Sequence, residues 1–121
     1  MILGIGVDVV EIDRIAAAAE HPRFASRILT VLELEALAQE PDRVRFLAGR
    51  WAMKEAIKKA CPWLHSWHAA EITRGTHGEP RAHVFGIDHS ERVHVSLTHE
   101  RGLVVAMALR EQYYDVARLS I

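Results

Sequence analysis

Residues 46–60, "FLAGRWAMKEAIKKA", decide how the rest of the chain is read. At about 3.6 residues per turn, Phe46, Gly49, Met53, Ile57 and Ala60 fall on one side of a helix, a stripe suited to a core. Leu47, Ala48 and Trp51 crowd the other side, so the first half is apolar nearly all round, the pattern of a buried helix. Yet Glu55 follows Trp51 by one turn, Lys59 follows Glu55 by another, and Lys54 and Lys58 flank the carboxylate. A carboxylate on a largely buried helix needs a cationic partner or a chemical task. The helix begins after Pro41-Asp42 and must end near Ala60, because Pro62 disfavours helical geometry at Cys61.

Upstream of this helix, residues 2–10, "ILGIGVDVV", are β-branched and apolar with two glycines, which reads as a buried strand. From about Glu11 to Glu20 the pattern turns helical, with Ile12, Ile15 and Ala19 spaced for one face. "HPRFASRIL" follows as a short helix with Pro22 at its start. Thr30, with Glu33 three residues on, predicts a capping box that opens a helix to about Gln39. Downstream, "AAEITRG", "PRAHVFG", "RVHVSLTHE" and "GLVVAMALRE" are short, β-rich and punctuated by Gly and Pro, so they predict an antiparallel sheet. Helices before strands make this an α+β fold, with N-terminal helices, one of them long, packed on an antiparallel sheet. The chain, residues 1–121, is one domain's worth, enough for a single small core.

Composition narrows the class. Half of the residues are hydrophobic and 26% charged, the balance of a soluble globular protein. No window approaches the roughly 18 consecutive apolar residues of a membrane span. The opening "MILGIGVDVVEIDRI" has no basic start and reaches an aspartate at position 8, unlike a signal peptide. The one cysteine, Cys61, cannot form an internal disulfide, which fits a reducing cytoplasm. A net charge of −1 argues against electrostatic binding of nucleic acid by the molecule as a whole.

Asp8 is the second anomaly, a carboxylate mid-strand in a run of Ile, Leu, Val and Gly. Buried without a partner it would cost several kcal/mol, so it should be protonated, paired or on a cation. Two readings stay open for Asp8 alone: a salt bridge with Arg14 or a lysine of the long helix, or a metal role. Taken with Glu55, it suits an Mg²⁺ that binds few protein oxygens and completes its octahedron with waters and substrate phosphates. Arg50, Lys54 and Lys58 recur one turn apart and form a basic stripe that could hold the same phosphates; the alternative is a solvated helix face. In "HVSLTHE", His94, Ser96 and Thr98 point one way along a strand while Val95, Leu97 and His99 point the other. Three short hydrogen-bonding groups in a row suit a polar ligand, or simply an exposed strand face. His65 and His68 hint at zinc, but no cysteine pairs accompany them. Cys61 has no activating base nearby in sequence and reads as a small packed hydrophobe.

These stretches together resemble the holo-acyl-carrier-protein synthases, the small phosphopantetheinyl transferases of bacterial fatty acid synthesis. "GIGVDVVEIDRI" resembles the family's opening motif, "RFASRILTVLE" the segment after its first helix, and "FLAGRWAMKEAIKKA" its most diagnostic block, while "HGEP" and "HVSLTHE" resemble its later two. Order and spacing agree over essentially the whole chain. The resemblance implies that Asp8 and Glu55 hold Mg²⁺ on the pyrophosphate of coenzyme A, and that a carrier-protein serine attacks the β-phosphate. The carrier then holds 4′-phosphopantetheine and adenosine 3′,5′-bisphosphate leaves. It further implies that Glu55 accepts the serine proton, directly or through a water, and that Lys59 stabilises or protonates the leaving oxygen. By the same matching Arg50, Lys54 and His94 touch the coenzyme's phosphates with Ser96 and Thr98 nearby, and Arg14, Arg23 and Arg27 meet an acidic acyl carrier protein. The family assembles as a trimer with coenzyme between neighbours, and the nearly unbroken apolar run "GLVVAMAL" suits a strand covered on both faces. Here Trp51 and Met53 replace smaller residues, and Gly78-Glu79-Pro80 carries an acid where the family has lysine. Two rival functions remain: service to a polyketide or peptide synthase carrier, and binding without turnover, against which the intact Asp8, Glu55 and Lys59 argue.

Overall fold

Helix and sheet meet where a strand lacks side chains. The computed structural model describes residues 1–113, and in it strand β1 (Ile2–Glu11) runs beneath the long helix α4 (Arg43–Ala60). A Cβ on Gly4 would lie 2.2 Å from the Ala60 carbonyl oxygen, and one on Gly6 would lie 1.9 Å from that of Ala56. Only glycine permits so close an approach. Between these two elements come α1 (Ile12–Ala18), α2 (Phe24–Ile28) and α3 (Val31–Ala38). After α4 follow a short 3-10 turn (Trp67–Ala69), β2 (Ala70–Arg74), β3 (Pro80–Val84), β4 (Glu91–Glu100) and β5 (Leu103–Gln112).

The helix boundaries follow their caps. Thr30 and Glu33 form the expected capping box of α3, with Thr30 Oγ1 accepting from the Glu33 amide and Glu33 accepting from the Thr30 amide. Asp42 caps α4 by accepting from the Arg45 amide, and α4 ends at Ala60 as the proline at 62 requires. Pro22 does not open α2, which starts at Phe24 with Arg23 at its N-cap; the proline sits in the turn before it.

The predicted single sheet is two. β1, β5 and β4 form a three-stranded antiparallel sheet in that order, and β2 and β3 form a separate hairpin. β4 pairs with β5 along its whole length, while β3 approaches β4 without joining it. An open groove of about 1020 Å³ lies between them, with Arg81, His83, Arg92 and His94 among its walls. The β4–β5 turn, Arg101-Gly102, has φ of 50° and 81°, the left-handed pair a two-residue hairpin needs. The Gly102 carbonyl accepts from the Ile12 amide at 2.8 Å, fixing where β1 becomes α1.

Register assigns the faces. Gly6, Ala108 and Val95 lie abreast, as do Asp8, Ala106 and Leu97, on the side covered by α4. Val7, Met107 and Ser96 lie abreast on the other side. That second side is open: Ile5, Val7 and Val9 are each more than half exposed, and Leu103 and Met107 nearly so. β1 is therefore not a fully buried strand, and β5 is covered on one face only in the single chain. The core lies between α4 and the sheet, where Ala48, Ala52, Met53, Ala56, Ile57 and Ala106 are wholly buried. No described helix is long and apolar enough to cross a membrane.

Candidate active site

The glycine contact that lets α4 lie on β1 also sets two carboxylates against each other. Asp8 stands on the α4 side of β1, partly buried, and Glu55 stands on α4 with a quarter of its side chain exposed. Burial pushes the Asp8 carboxyl above its ordinary 3.8; Lys59 opposes that shift, and the nearby Glu55 charge adds to it. Lys59 Nζ donates to the Val7 carbonyl at 2.7 Å and lies 3.5 Å from Asp8 Oδ1. Lys58 Nζ lies 3.4 Å from Glu55 Oε1. Of the two partners open for Asp8, the lysine of the long helix is the one it has; exposed Arg14 contributes only a distant charge. Two carboxylates that repel each other at a solvent-accessible edge, each beside an ammonium, are the side chains here that could hold a cation.

The basic stripe divides. Lys54 is 1% exposed, and its ammonium donates to Glu33 Oε1 and the Ile28 carbonyl at 2.6 Å and to the Trp67 carbonyl at 3.0 Å. All three donors are taken inside the core, so Lys54 does not face a phosphate. Arg50, 5% exposed, packs over the Phe46 ring about 140° around α4 from Glu55. It too lies away from Asp8 and Glu55. Arg50 and Lys54, expected at the coenzyme phosphates, stand about 140° and 100° around α4 from Glu55, on a flank that α2, α3 and β2 cover in the single chain.

His94, Ser96 and Thr98 are exposed on one face of β4, as their alternation predicts. It is the open face of the sheet, opposite Asp8. His94 Nε2 lies 3.1 Å from the Tyr113 hydroxyl and 3.3 Å from Glu111 Oε1. One chain therefore does not bring this row and the carboxylate pair to the same ligand. Arg14 on α1 and Arg23 and Arg27 at α2 are all exposed on the helices that precede the site, and none of them makes a salt bridge among the described residues.

Three features escaped the sequence reading. Glu33 is a buried hub as well as a cap: besides Thr30 and Lys54 it accepts from the Ile72 amide at 2.9 Å. Trp51 stacks between Phe24 and Trp67, with centroids 5.8 and 4.5 Å away, and Lys58 lies over the Trp67 ring. The glycines of β1 mark the helix contact described above. The capping box and the tryptophans were visible signals, but their partners lie 20 or more residues off in several cases. Cys61 is fully buried with its thiol pushed up to about 11 by burial, which fits a packed hydrophobe. No group of three or more metal-ligating side chains occurs among the described residues.

Residues 4–108 match the model of the 4′-phosphopantetheinyl transferase superfamily. The chain belongs to that superfamily. Its class of chemistry is therefore group transfer, and this phosphopantetheinyl transferase has curated relatives along nearly its full length. The holo-[acyl-carrier-protein] synthase of Shouchella clausii is 42% identical, with 92% of this chain and 99% of that protein covered. A crystal structure of the Neisseria meningitidis synthase superposes with a TM-score of 0.84 at 32% identity, covering 93% of this chain and all of the other. A Bacillus anthracis holo-(acyl-carrier-protein) synthase in complex with CoA (3′,5′-ADP) superposes with a TM-score of 0.83 at 30% identity, covering 93% and 98%. The α+β architecture expected of the family is the one observed.

Proposed function

We propose that this enzyme transfers 4′-phosphopantetheine from coenzyme A to a serine of an apo acyl carrier protein, in fatty acid synthesis. The observation that carries the reading is the Asp8–Glu55 carboxylate pair, set between Lys59 and Lys58 at the β1–α4 contact. The similarity to holo-acyl-carrier-protein synthases, one of them bound to a coenzyme A ligand, supports the donor and the acceptor.

Two partly buried carboxylates, Asp8 with its proton affinity raised chiefly by burial and further by the Glu55 charge, fit a hard divalent cation, which takes few protein oxygens and leaves room for phosphates. Asp8 and Glu55 would hold Mg²⁺, which when bound neutralises the pyrophosphate and polarises the phosphoryl oxygens. The chain's own groups then position and move protons. The serine oxygen bonds to the β-phosphorus, the bridging P–O bond breaks, and adenosine 3′,5′-bisphosphate leaves. Glu55 accepts the serine proton, directly or through a water. Lys59, with half of its side chain exposed, swings its ammonium to the leaving phosphate oxygen.

Arg14, Arg23 and Arg27 form a basic surface on α1 and α2 for an acidic carrier protein. The open apolar face of the β1–β5–β4 sheet is covered by other copies in a homotrimer. Such an assembly also accounts for His94, Ser96 and Thr98: lying on that face, they meet the coenzyme held at a neighbour's Asp8 and Glu55. The enzyme works in the cytoplasm, in keeping with its lone buried thiol.

The test is incubation with coenzyme A, Mg²⁺ and apo carrier proteins of fatty acid, polyketide and peptide synthases, followed by mass spectrometry of each carrier. A gain of one phosphopantetheine on the fatty acid carrier, lost with chelator, is the expected result. Gain only on another carrier would reassign the partner, and no gain on any would leave a binding protein without turnover.

A further inference from the structure

Arg50 is a buried guanidinium without a hydrogen bond. Its Nε is buried and unpartnered, and among the described residues its terminal nitrogens have no acceptor either. The nearest carboxylate oxygen, Glu33 Oε2, is 3.9 Å away. Glu33 cannot serve it better, because its oxygens already accept from Lys54, the Thr30 amide and the Ile72 amide. Buried donors of this kind are rare in folded proteins and mark a missing partner.

The side chain lines a cleft of about 440 Å³ between α3 and β2, walled by Leu32, Ala36 and Ile72, with Thr73, Arg74 and Glu35 at its sides. Arg50 lies 4.2 Å from the Phe46 ring centroid and Arg74 lies 5.9 Å from it, so two guanidinium groups share one aromatic ring. We propose that this cleft binds a small amphipathic monocarboxylate, its head on the Arg50 guanidinium and its apolar chain along Leu32, Ala36 and Ile72. The planar fork of an arginine matches a carboxylate, and burial strengthens the pair. An anion there also relieves the repulsion between the two cations. Glu35 at the side and Glu40, which holds Arg74 at 2.6 Å, disfavour a multiply charged phosphate. Burial and Arg74 lower the Arg50 pKa, against the pull of Glu33, only to about 10, so the group is charged at neutral pH. The cleft lies on the flank of α4 away from Asp8 and Glu55 and does not depend on the proposed reaction.

Titration calorimetry of the full chain with octanoate tests this, with octanol as the neutral isostere and inorganic phosphate as competitor. Octanoate should bind with a Kd of about 1 mM or tighter, octanol at least about tenfold more weakly, and phosphate should not displace it. Arg50→Lys keeps the charge and loses the fork, and should weaken octanoate about tenfold. Because that buried change could disturb folding, Leu32→Glu serves as a second variant: the position is half exposed, and a carboxylate at the mouth should abolish binding. No octanoate binding, equal binding of octanol, displacement by phosphate, or unchanged affinity in Leu32→Glu would each overturn the proposal.

Discussion

Asp8 and Glu55 are the two side chains on which the proposed chemistry rests, and substituting each should leave a separable signature. The Asp8 carboxyl is raised above 3.8, chiefly by burial, so the folded chain holds this proton more tightly than the unfolded chain. Its contribution to stability is therefore full below the unfolded value and is lost as pH rises through the raised folded value. At neutral pH Asp8 is a net burden on the metal-free fold. Asp8→Asn should raise the metal-free Tm at pH 7 by about 2 °C, a difference that vanishes near pH 3, while Mg²⁺ binding measured by calorimetry is lost. A lower Tm at pH 7 would mean that its Lys59 contact outweighs burial. Glu55→Gln keeps the shape and removes both a cation ligand and the proton acceptor. Transfer to the carrier should fall by at least about 100-fold with the circular dichroism spectrum unchanged. Near-normal turnover at saturating Mg²⁺ would remove Glu55 from the mechanism.

At the scale of elements, one buried ion pair ties five segments together. Lys54 on α4 holds Glu33 on α3, the end of α2 and the 3-10 turn, and Glu33 reaches on to β2. Truncating one partner leaves the other charged and buried, which costs far more than the pair is worth against an apolar replacement of both. Lys54→Met should lower urea stability by about 3–5 kcal/mol, and adding Glu33→Gln should recover part of the loss. Additive losses in the double variant would show that the two side chains act independently. Helix α4 was legible in the sequence from cap to end, because Asp42, Pro62 and the apolar spacing are local signals. The fate of its basic residues was not. Arg50, Lys54 and Lys59 are alike in charge and length, and which of them reaches solvent depends on where α3 and β2 close over the helix.

The whole molecule leaves a hydrophobic sheet face uncovered and a basic surface on its first two helices. Val7→Asp places a charge in the middle of that face, opposite Met107, without touching the α4 side. Light scattering should show the wild type as a trimer and the variant as a monomer, with coenzyme A affinity lost alongside assembly; a monomeric wild type would refute the interface. Arg14→Glu separates docking from structure. Because Asp8 pairs with Lys59 and not with Arg14, the variant should keep its Tm and coenzyme A affinity. Its carrier affinity should fall by about tenfold or more, and the wild-type affinity should weaken with salt. A joint loss of Tm and coenzyme affinity would return Arg14 to a structural role.

The sequence by itself determined the elements and the chemical residue types. Strand, helix and turn follow from spacing, caps, prolines and glycines, which act over a few residues, and Asp8 and Glu55 stand out because charge is rare in apolar runs. Tertiary structure alone decided which face each strand shows and which partner each charge meets. The two-residue alternation of β1 is the same whichever side α4 covers, and only the Gly4 and Gly6 contacts settle that Asp8 points toward the helix and Val7 away from it. Likewise the separation of His94, Ser96 and Thr98 from the carboxylate pair, and the burial of Lys54, arise from packing between segments distant in sequence. Burial and long-range charge depend on coordinates in three dimensions, and one-dimensional spacing does not contain them.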